Sequence, residues 1–378
     1  MKAFLTIAYG AVLLAVACSC YRQPEFNWDM LPYAALALSY DDPDPDAFHA
    51  MTYAQAQDCL PPAKFGLLVD SVDAYRFRAF RDPQFFAAQL PLYAIKPGFV
   101  RLIYGFYRLG VPLPLATVLP SVLSFLAIGI VLLFWVRRVL PEPYATAVSL
   151  AAALTPFVLQ GARASTPDML TGFLLLLAVF LLHEKRMGLA GLATLAFAVA
   201  VRVDAVMFVL VLAVYVYATR STSTPRLLAA VALMVGFSAF IVVRNIDSVG
   251  QFFFIRSAAE RLGSAPSQPF FQSYLHGVWL GLTRLSFSSI AILAGAACVT
   301  LYARKTTQGS VLKDPAALLV VLVLVHIVAR FIVHPIIEDR FLIADYLVLA
   351  MMLVEAISGL LRSGPPGVHQ SPLREKVR

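Results

Sequence analysis

Residues 113–136, LPLATVLPSVLSFLAIGIVLLFWV, run without a single charged side chain. Crossing the hydrocarbon core of a bilayer takes roughly 20 apolar residues in a helix, and a run this long and this uniform is difficult to place in a soluble domain. Similar runs lie near 3–20, 143–161, 167–182, 187–201, 204–219, 227–243, 287–303, 315–333 and 340–361. The expectation is an all-α polytopic membrane protein with about ten transmembrane helices. The weakest part of that reading is 187–219, where two short spans flank Arg202 and Asp204. Composition agrees, with 60% hydrophobic residues, 14% charged and a mean hydropathy of +0.77. Soluble domains carry about a quarter charged residues.

The short connections set the orientation. With the N-terminus inside, one set of connections carries Lys2, Arg137, Arg138, Lys185, Arg186, Arg220, Arg226, Arg304, Lys305 and Lys313, and the tail SGPPGVHQSPLREKVR is basic too. Positive loops mark the cytoplasmic side, so an even number of spans puts both termini in the cytoplasm. The net charge of +8 is scattered among apolar spans, which argues for basic loops and against nucleic-acid binding. Residues 1–362 read as one transmembrane domain and 363–378 as a disordered cytoplasmic tail.

Two long connections, 21–112 and 244–286, fall on the outer side. In the first, DDPDPD (41–46) reads as turns, and 46–58 and 70–81 read as short helices. The segment KPGFVRLIYGFYRLG (96–110) is apolar, with Arg101 and Arg108 on one helical face. That is the pattern of a helix lying along the membrane surface. PFFQSYLHGVWLGLTRLSF (269–287) has the same character in the second connection. The cysteines, Cys18, Cys20, Cys59 and Cys298, make no metal-ligand spacing with histidine, so no zinc site is expected. A disulfide from Cys59 to Cys18 or Cys20 stands beside free thiols as an open alternative.

A charge at mid-bilayer costs about 2.5–3.5 kcal/mol on insertion scales, so it needs a partner, water or a task. On this topology the awkward charges gather at the outer ends of the spans: Asp29, Lys96, Arg163, Asp168, Arg202, Asp204, Arg244, Glu338, Asp339 and Arg340. Acids and cations collected on one membrane face suit a phosphate-bearing substrate. Each also has a plain structural reading. In STPDML (165–170), Thr166 would be the N-cap, Pro167 the first helical residue and Asp168 a first-turn acid facing the helix dipole. Asp204, Glu338 and Asp339 admit the same account, and His334 could cap a helix end. Trp28 and Tyr33 fit an interfacial aromatic belt as well as a sugar-stacking platform. Capping does not account for Lys96, nor for acids and arginines of separate helices sharing one face.

The motifs come in a distinctive order. An acid just past the first span (NWDMLPY, 27–33) precedes Lys-Pro entering a surface helix (YAIKPGF, 93–99). Arg-x₄-Asp follows between spans three and four (ARASTPDML, 162–170), and EDRFLIADY (338–346) opens the last span. This order resembles the GT-C superfamily of membrane glycosyltransferases, which includes protein O-mannosyltransferases and the aminoarabinose transferases of lipid A. That family often has Asp-Glu where this chain has Asp29–Met30, and Lys-Pro-Pro-Leu where it has KPGF. Many members also carry a soluble C-terminal domain that has no counterpart here.

The resemblance implies a hexosyl- or pentosyltransferase that takes a sugar from a polyprenyl-phosphate carrier. The acceptor would be a glycan, lipid or protein of the cell envelope, met at the outer face of a bacterial inner (plasma) membrane. It implies Asp29 as the general base, with Asp168 as a supporting acid that orients the acceptor or a divalent cation, the one cofactor the resemblance admits. Lys96 and Arg340, with Arg163 or Arg244, would hold the phosphate. The helix near 97–108 would admit the prenyl chain among membrane lipids. The absence of a glycine-rich phosphate loop is no objection, because the donor carries no nucleotide.

Two rivals stand beside it. A lipid or solute transporter could also use outward charges, although transporters place them near the midplane and show repeated halves, and no repeat is found here. A non-catalytic subunit of an envelope glycan assembly system is the other. At the N-terminus, AVAC (15–18) loosely matches a lipoprotein signal, but Ala15 suits that pattern poorly, so the first span is read as retained.

Overall fold

The computed structural model describes residues 2–185, 187–219, 222–245, 314–333 and 338–363, with 275, 279, 283, 291–295 and 298. Among these residues helices dominate and no strand forms. The span expected at 287–303, most of the second long connection, His334 and the tail from 364 onward lie largely or wholly outside them.

The first helix, α1 (Lys2–Arg22), packs on α9 (Leu113–Val136), and α9 in turn touches helices from across the bundle. Between them the chain makes seven short helices: α2 (Met30–Leu38), α3 (Pro45–Cys59), α4 (Pro62–Leu68), α5 (Ala74–Arg81), α6 (Pro83–Ala87), α7 (Pro91–Ala94) and α8 (Pro97–Arg108). Proline opens α3, α4, α6, α7 and α8, where its missing N–H costs nothing. Aspartates cap several of them: Asp44 accepts from Ala47 N, Asp73 from Tyr75 N and Arg76 N, and Asp82 from Phe85 N. The helices expected at 46–58 and 97–108 are present. The one expected from residue 70 begins at Ala74, because the cap is Asp73. Phe99, Val100 and Ile103 of α8 are buried, while Arg101 and Arg108 face outward, and Arg108 pairs with Asp41 at 3.0 Å.

After α9 the chain continues through α10 (Glu142–Ala153), α11 (Pro156–Arg163), α12 (Asp168–Val179), α13 (Gly188–Val201), α14 (Val206–Thr219) and α15 (Thr224–Arg244). The last two described helices are α16 (Pro315–Val333) and α17 (Ile343–Ser363). Among the described residues, five helices are long and apolar enough to cross a membrane, or six if α10 and α11 form one broken span. The span expected at 143–161 is not one straight helix: α10 and α11 meet at 58°. Pro156 cannot continue the helix and holds Thr155 extended, at ψ 146°. The spans expected at 167–182, 187–201 and 204–219 are helices of 12, 14 and 14 residues, with α12 running on through one π-helical turn, Phe180–Glu184.

The burial pattern is that of a membrane protein. The spanning windows of α9 and α17 are 67% and 61% buried and form the centre, whereas those of α1 and α15 are 22% and 17% buried. The faces they expose are apolar: Phe4, Ile7 and Leu14 on α1, and Leu228, Leu233 and Phe240 on α15. Such faces are stable against lipid and not against water. All four cysteines are free thiols, which closes the disulfide alternative.

Candidate active site

One short pairing sets up the site. After α1 the backbone runs extended past Glu25, whose N–H donates to Arg163 O at 2.8 Å, forming an isolated parallel bridge between Glu25 and Ala164. Arg163 reinforces it by donating from Nε to Gln23 O at 2.8 Å. The chain segment bearing Asp29 is thereby tied to the α11–α12 junction at Ala164, four residues before Asp168. Asp29 takes the N-cap position of α2 but makes no capping bond with its side chain. Its carboxylate turns instead to Tyr93, whose hydroxyl donates to Oδ1 at 3.3 Å, and to Arg340, 3.7 Å from Oδ2.

Lys96 arrives from another direction. It sits at the N-terminus of α8, which presses against the C-terminal end of α13. A Cβ on Gly98 would lie 2.6 Å from Ala200 O, so only glycine allows this approach. The glycine of KPGF is thus what lets α8 bring Lys96 up to the turn that carries Arg202. The ammonium lies over the rings of Tyr33 and Tyr93, 5.4 and 5.2 Å from their centroids. Tyr33 also packs edge-on against Tyr93 and Phe99, at 5.2 and 5.0 Å.

The remaining charges form one network. Arg202 pairs with Asp168 and grips Asp204 with two bonds, at 2.6 and 2.9 Å. Asp204 also accepts from Arg330 of α16 at 3.2 Å. Arg340 bonds Glu338 at 2.5 Å and approaches Asp168 at 3.9 Å. The guanidiniums of Arg202, Arg330 and Arg340 all stand over one ring, Phe341, at 5.3, 5.3 and 5.0 Å. Burial, followed by the positive charge of Arg202, pushes the Lys96 pKa down to about 8, against the pull of Asp29, Asp204 and Asp168. Burial also raises the Tyr33 and Tyr93 hydroxyls, and the carboxylate of Asp29 adds to both shifts.

These contacts revise the capping accounts. The N-cap of α12 is Pro167 and not Thr166, whose Oγ1 has no hydrogen-bond partner among the described residues; Asp168, only 5% exposed, is the first-turn acid expected and carries ion pairs to Arg202 and Arg340 besides. Asp204 holds two arginines, and Glu338 makes its bond to Arg340 and no capping bond. A divalent cation does not fit at Asp168, whose two oxygens face Arg202 and Arg340. Of the phosphate ligands expected, Lys96 and Arg340 are at the cluster. Arg163 is spent on the Gln23 carbonyl, and Arg244 is exposed at the end of α15; among the described residues no ion pair joins either to the cluster.

Beneath the network lies a small cavity lined by Asp168, Thr171, Arg202, Asp204, Arg330 and Phe341, with room of ≈ 20 Å³ for the centre of a water molecule. That suffices for about one water. His326 and Asp345 also line it. His326 Nδ1 is 2.7 Å from Asp345 Oδ1, both side chains are buried, and His326 Nε2 has no hydrogen-bond partner among the described residues. Three participants, Arg330, His326 and Asp345, were not singled out by sequence. Each is a lone polar residue in an apolar run, a signal that could have raised the question without naming the partner.

The site therefore combines a partly exposed carboxylate, an ammonium held on aromatic rings and a set of largely covered guanidiniums. Such a set can accept a proton at Asp29 and bind an anion at Lys96 and Arg340. Comparison with known protein families, curated proteins and solved structures finds no match.

Proposed function

We propose that the chain is an inverting membrane glycosyltransferase that moves a sugar from a polyprenyl-phosphate carrier to an acceptor at the outer face of a bacterial inner membrane. One observation carries the reading. Lys96 is, among the described residues, the cation of the cluster with no carboxylate within 4.0 Å, yet it stands beside Asp29, whose side chain is 30% exposed and whose own ion pair, to Arg340, is a long one of 3.7 Å. A spare ammonium next to a reachable carboxylate suits a reaction in which a phosphate leaves as a proton is taken up.

The acceptor O–H gives its proton to Asp29 while the acceptor oxygen attacks the anomeric carbon from the face opposite the phosphate. The bond from that carbon to the phosphate oxygen breaks, and the lipid phosphate leaves with the electron pair. Lys96 takes the developing charge, joined by Arg340, whose pairs with Asp29 and Asp168 at 3.7 and 3.9 Å are too long for hydrogen bonds. Arg202, Arg330, Asp168 and Asp204 hold this arrangement rigid from below. Tyr93, partly exposed beside Asp29, would receive the sugar, backed by the buried rings of Tyr33 and Phe99. In the full topology of about ten spans, the helix ends that bear the cluster face outward and both termini are cytoplasmic.

The test is Asp29→Asn, purified and folded, with native lipid-linked donor. Turnover should fall by roughly 10²–10⁴, with donor binding and melting temperature close to wild type. Asp168→Asn should lose stability first, since it leaves Arg202 and Arg340 short of a buried partner. Full turnover in Asp29→Asn would end the catalytic assignment. The transporter reading is separated by mass spectrometry of a deletion strain, where a transferase leaves its lipid-linked sugar unconsumed and accumulating outside.

A further inference from the structure

A second convergence of side chains lies at the opposite end of α12, about 20 Å from Asp168 at 1.5 Å per residue. Here the helix widens into the π-helical turn Phe180–Glu184, and the neighbouring residues His183 and Glu184 point to the same place. Glu355 of α17 meets them there. His183 Nε2 is 3.5 Å from Glu184 Oε1 and 3.6 Å from Glu355 Oε2, and the three donor atoms all lie within 4.8 Å of one another.

We propose that His183, Glu184 and Glu355 bind one tetrahedral divalent metal ion of the Zn²⁺ class, through His183 Nε2, Glu184 Oε1 and Glu355 Oε2. The first support is distance. An ion with bonds of about 2.1 Å needs tetrahedral donors about 3.4 Å apart, and two of the three edges already have that length. The second is the fate of the other polar atom of each ligand. His183 Nδ1 faces the Tyr215 hydroxyl at 2.5 Å, Glu355 Oε1 accepts from Trp135 Nε1 at 2.6 Å, and Glu184 Oε2 pairs with Arg138 at 2.5 Å. Outer groups that fix the orientation and leave one donor atom free are what metal ligands require.

The third support is charge. Two carboxylates meet there with a single arginine beside them. One more positive charge is needed at the point where the three donor atoms converge. The three side chains are 10%, 11% and 17% exposed, so an ion can reach them without unfolding the bundle. The fourth position is left to solvent. A bound ion would fasten the end of α12 to α17, with α9 held through Trp135. This inference does not depend on the transferase reading.

The test uses the full chain in detergent, with any affinity tag removed, stripped by chelator and desalted before Zn²⁺ or Mn²⁺ alone is added. Elemental analysis should find about one Zn²⁺ per chain, and the melting temperature should rise with metal concentration as linkage requires. Mn²⁺ should bind more weakly. Glu355→Gln, which keeps the bond from Trp135, and His183→Ala should each bind Zn²⁺ at least tenfold more weakly while retaining the helical content of the metal-free protein. Retention below about a tenth of an ion per chain would overturn the proposal, as would equal retention by wild type and both variants. So would a melting temperature that responds to pH but not to metal, because the missing charge would then be a proton.

Discussion

The two ends of the bundle handle charge differently. At the Asp29 end, three arginines interleave with four carboxylates, and Lys96 completes the balance from its seat on two tyrosine rings. At the His183 end, two carboxylates and an imidazole converge on one point, and a single arginine touches the group from outside. A matched network is neutral by itself and can exchange one of its acids for an incoming anion. An unmatched one asks for a cation. The same inventory of side chains thus yields opposite ligand preferences, according to how opposite charges are interleaved.

The strongest way to break this comparison is to remove one arginine from each end. Arg202→Met leaves the buried Asp168 without its main partner and Asp204 with Arg330 alone, so a loss of about 3–5 kcal/mol is expected, read as collapse of folded yield or of melting temperature. Arg138 is 41% exposed, and Arg138→Met should cost about 1 kcal/mol or less. Equal losses would mean that the two ends do not differ in the way described.

Lys96→Ala should weaken donor use roughly ten- to a hundredfold, the value of a charged hydrogen bond to phosphate. Lys64→Ala is the control, because Lys64 donates to Pro24 O at 3.0 Å and stays out of the cluster. The effect has a pH signature. With a pKa of about 8, Lys96 loses its charge as pH rises through that value, so donor affinity should fall above it, and Lys96→Arg should flatten the profile. Stability runs the other way. The folded protein disfavours the charged form, so it should gain stability as pH rises from about 8 toward the ordinary lysine value of 10.5. A donor affinity that is flat in wild type would take Lys96 out of phosphate binding.

Gly98→Ala forces a methyl group to within 2.6 Å of the Ala200 carbonyl oxygen, which is backbone and cannot swing aside. A loss of about 1–3 kcal/mol is expected, with weakened donor use because Lys96 moves with α8. Unchanged stability and activity would separate Lys96 from the α13 contact. The smallest effect is expected at Thr166, whose buried hydroxyl has no hydrogen-bond partner among the described residues. Thr166→Val should stay within about 0.5 kcal/mol of wild type in melting experiments. A loss of about 1 kcal/mol would restore Thr166 as a helix cap.

Much of this arrangement could be read from the chain before any fold was known. Pro-initiated, amphipathic segments such as 97–108 declare themselves, because their signals are local. Asp29, Lys96, Asp168 and Arg340 stood out because a charge next to an apolar span demands a reason. Pairings over long separations were not legible. Arg330 reads as one interruption of an apolar run, and its partner Asp204 is 126 residues away. Asp204 looked like a first-turn acid because a cap needs only local sequence. The bend at Thr155–Pro156 was visible in the proline, yet total apolar length outweighed it in the span count. Arg163 carried the right charge at the right helix end and was engaged by a backbone carbonyl that no periodicity reveals.

Phe341 has a consequence for how this sequence can drift. Three like-charged groups share its ring, and each also answers to carboxylates that the others hold. Single exchanges in this set should therefore not combine additively. A change at Arg202, Arg330 or Arg340 is tolerable only alongside a change at its acidic partner, and loss of the aromatic ring weakens all three at once. Selection would then see these positions as one character, and related chains should vary them together or keep them together.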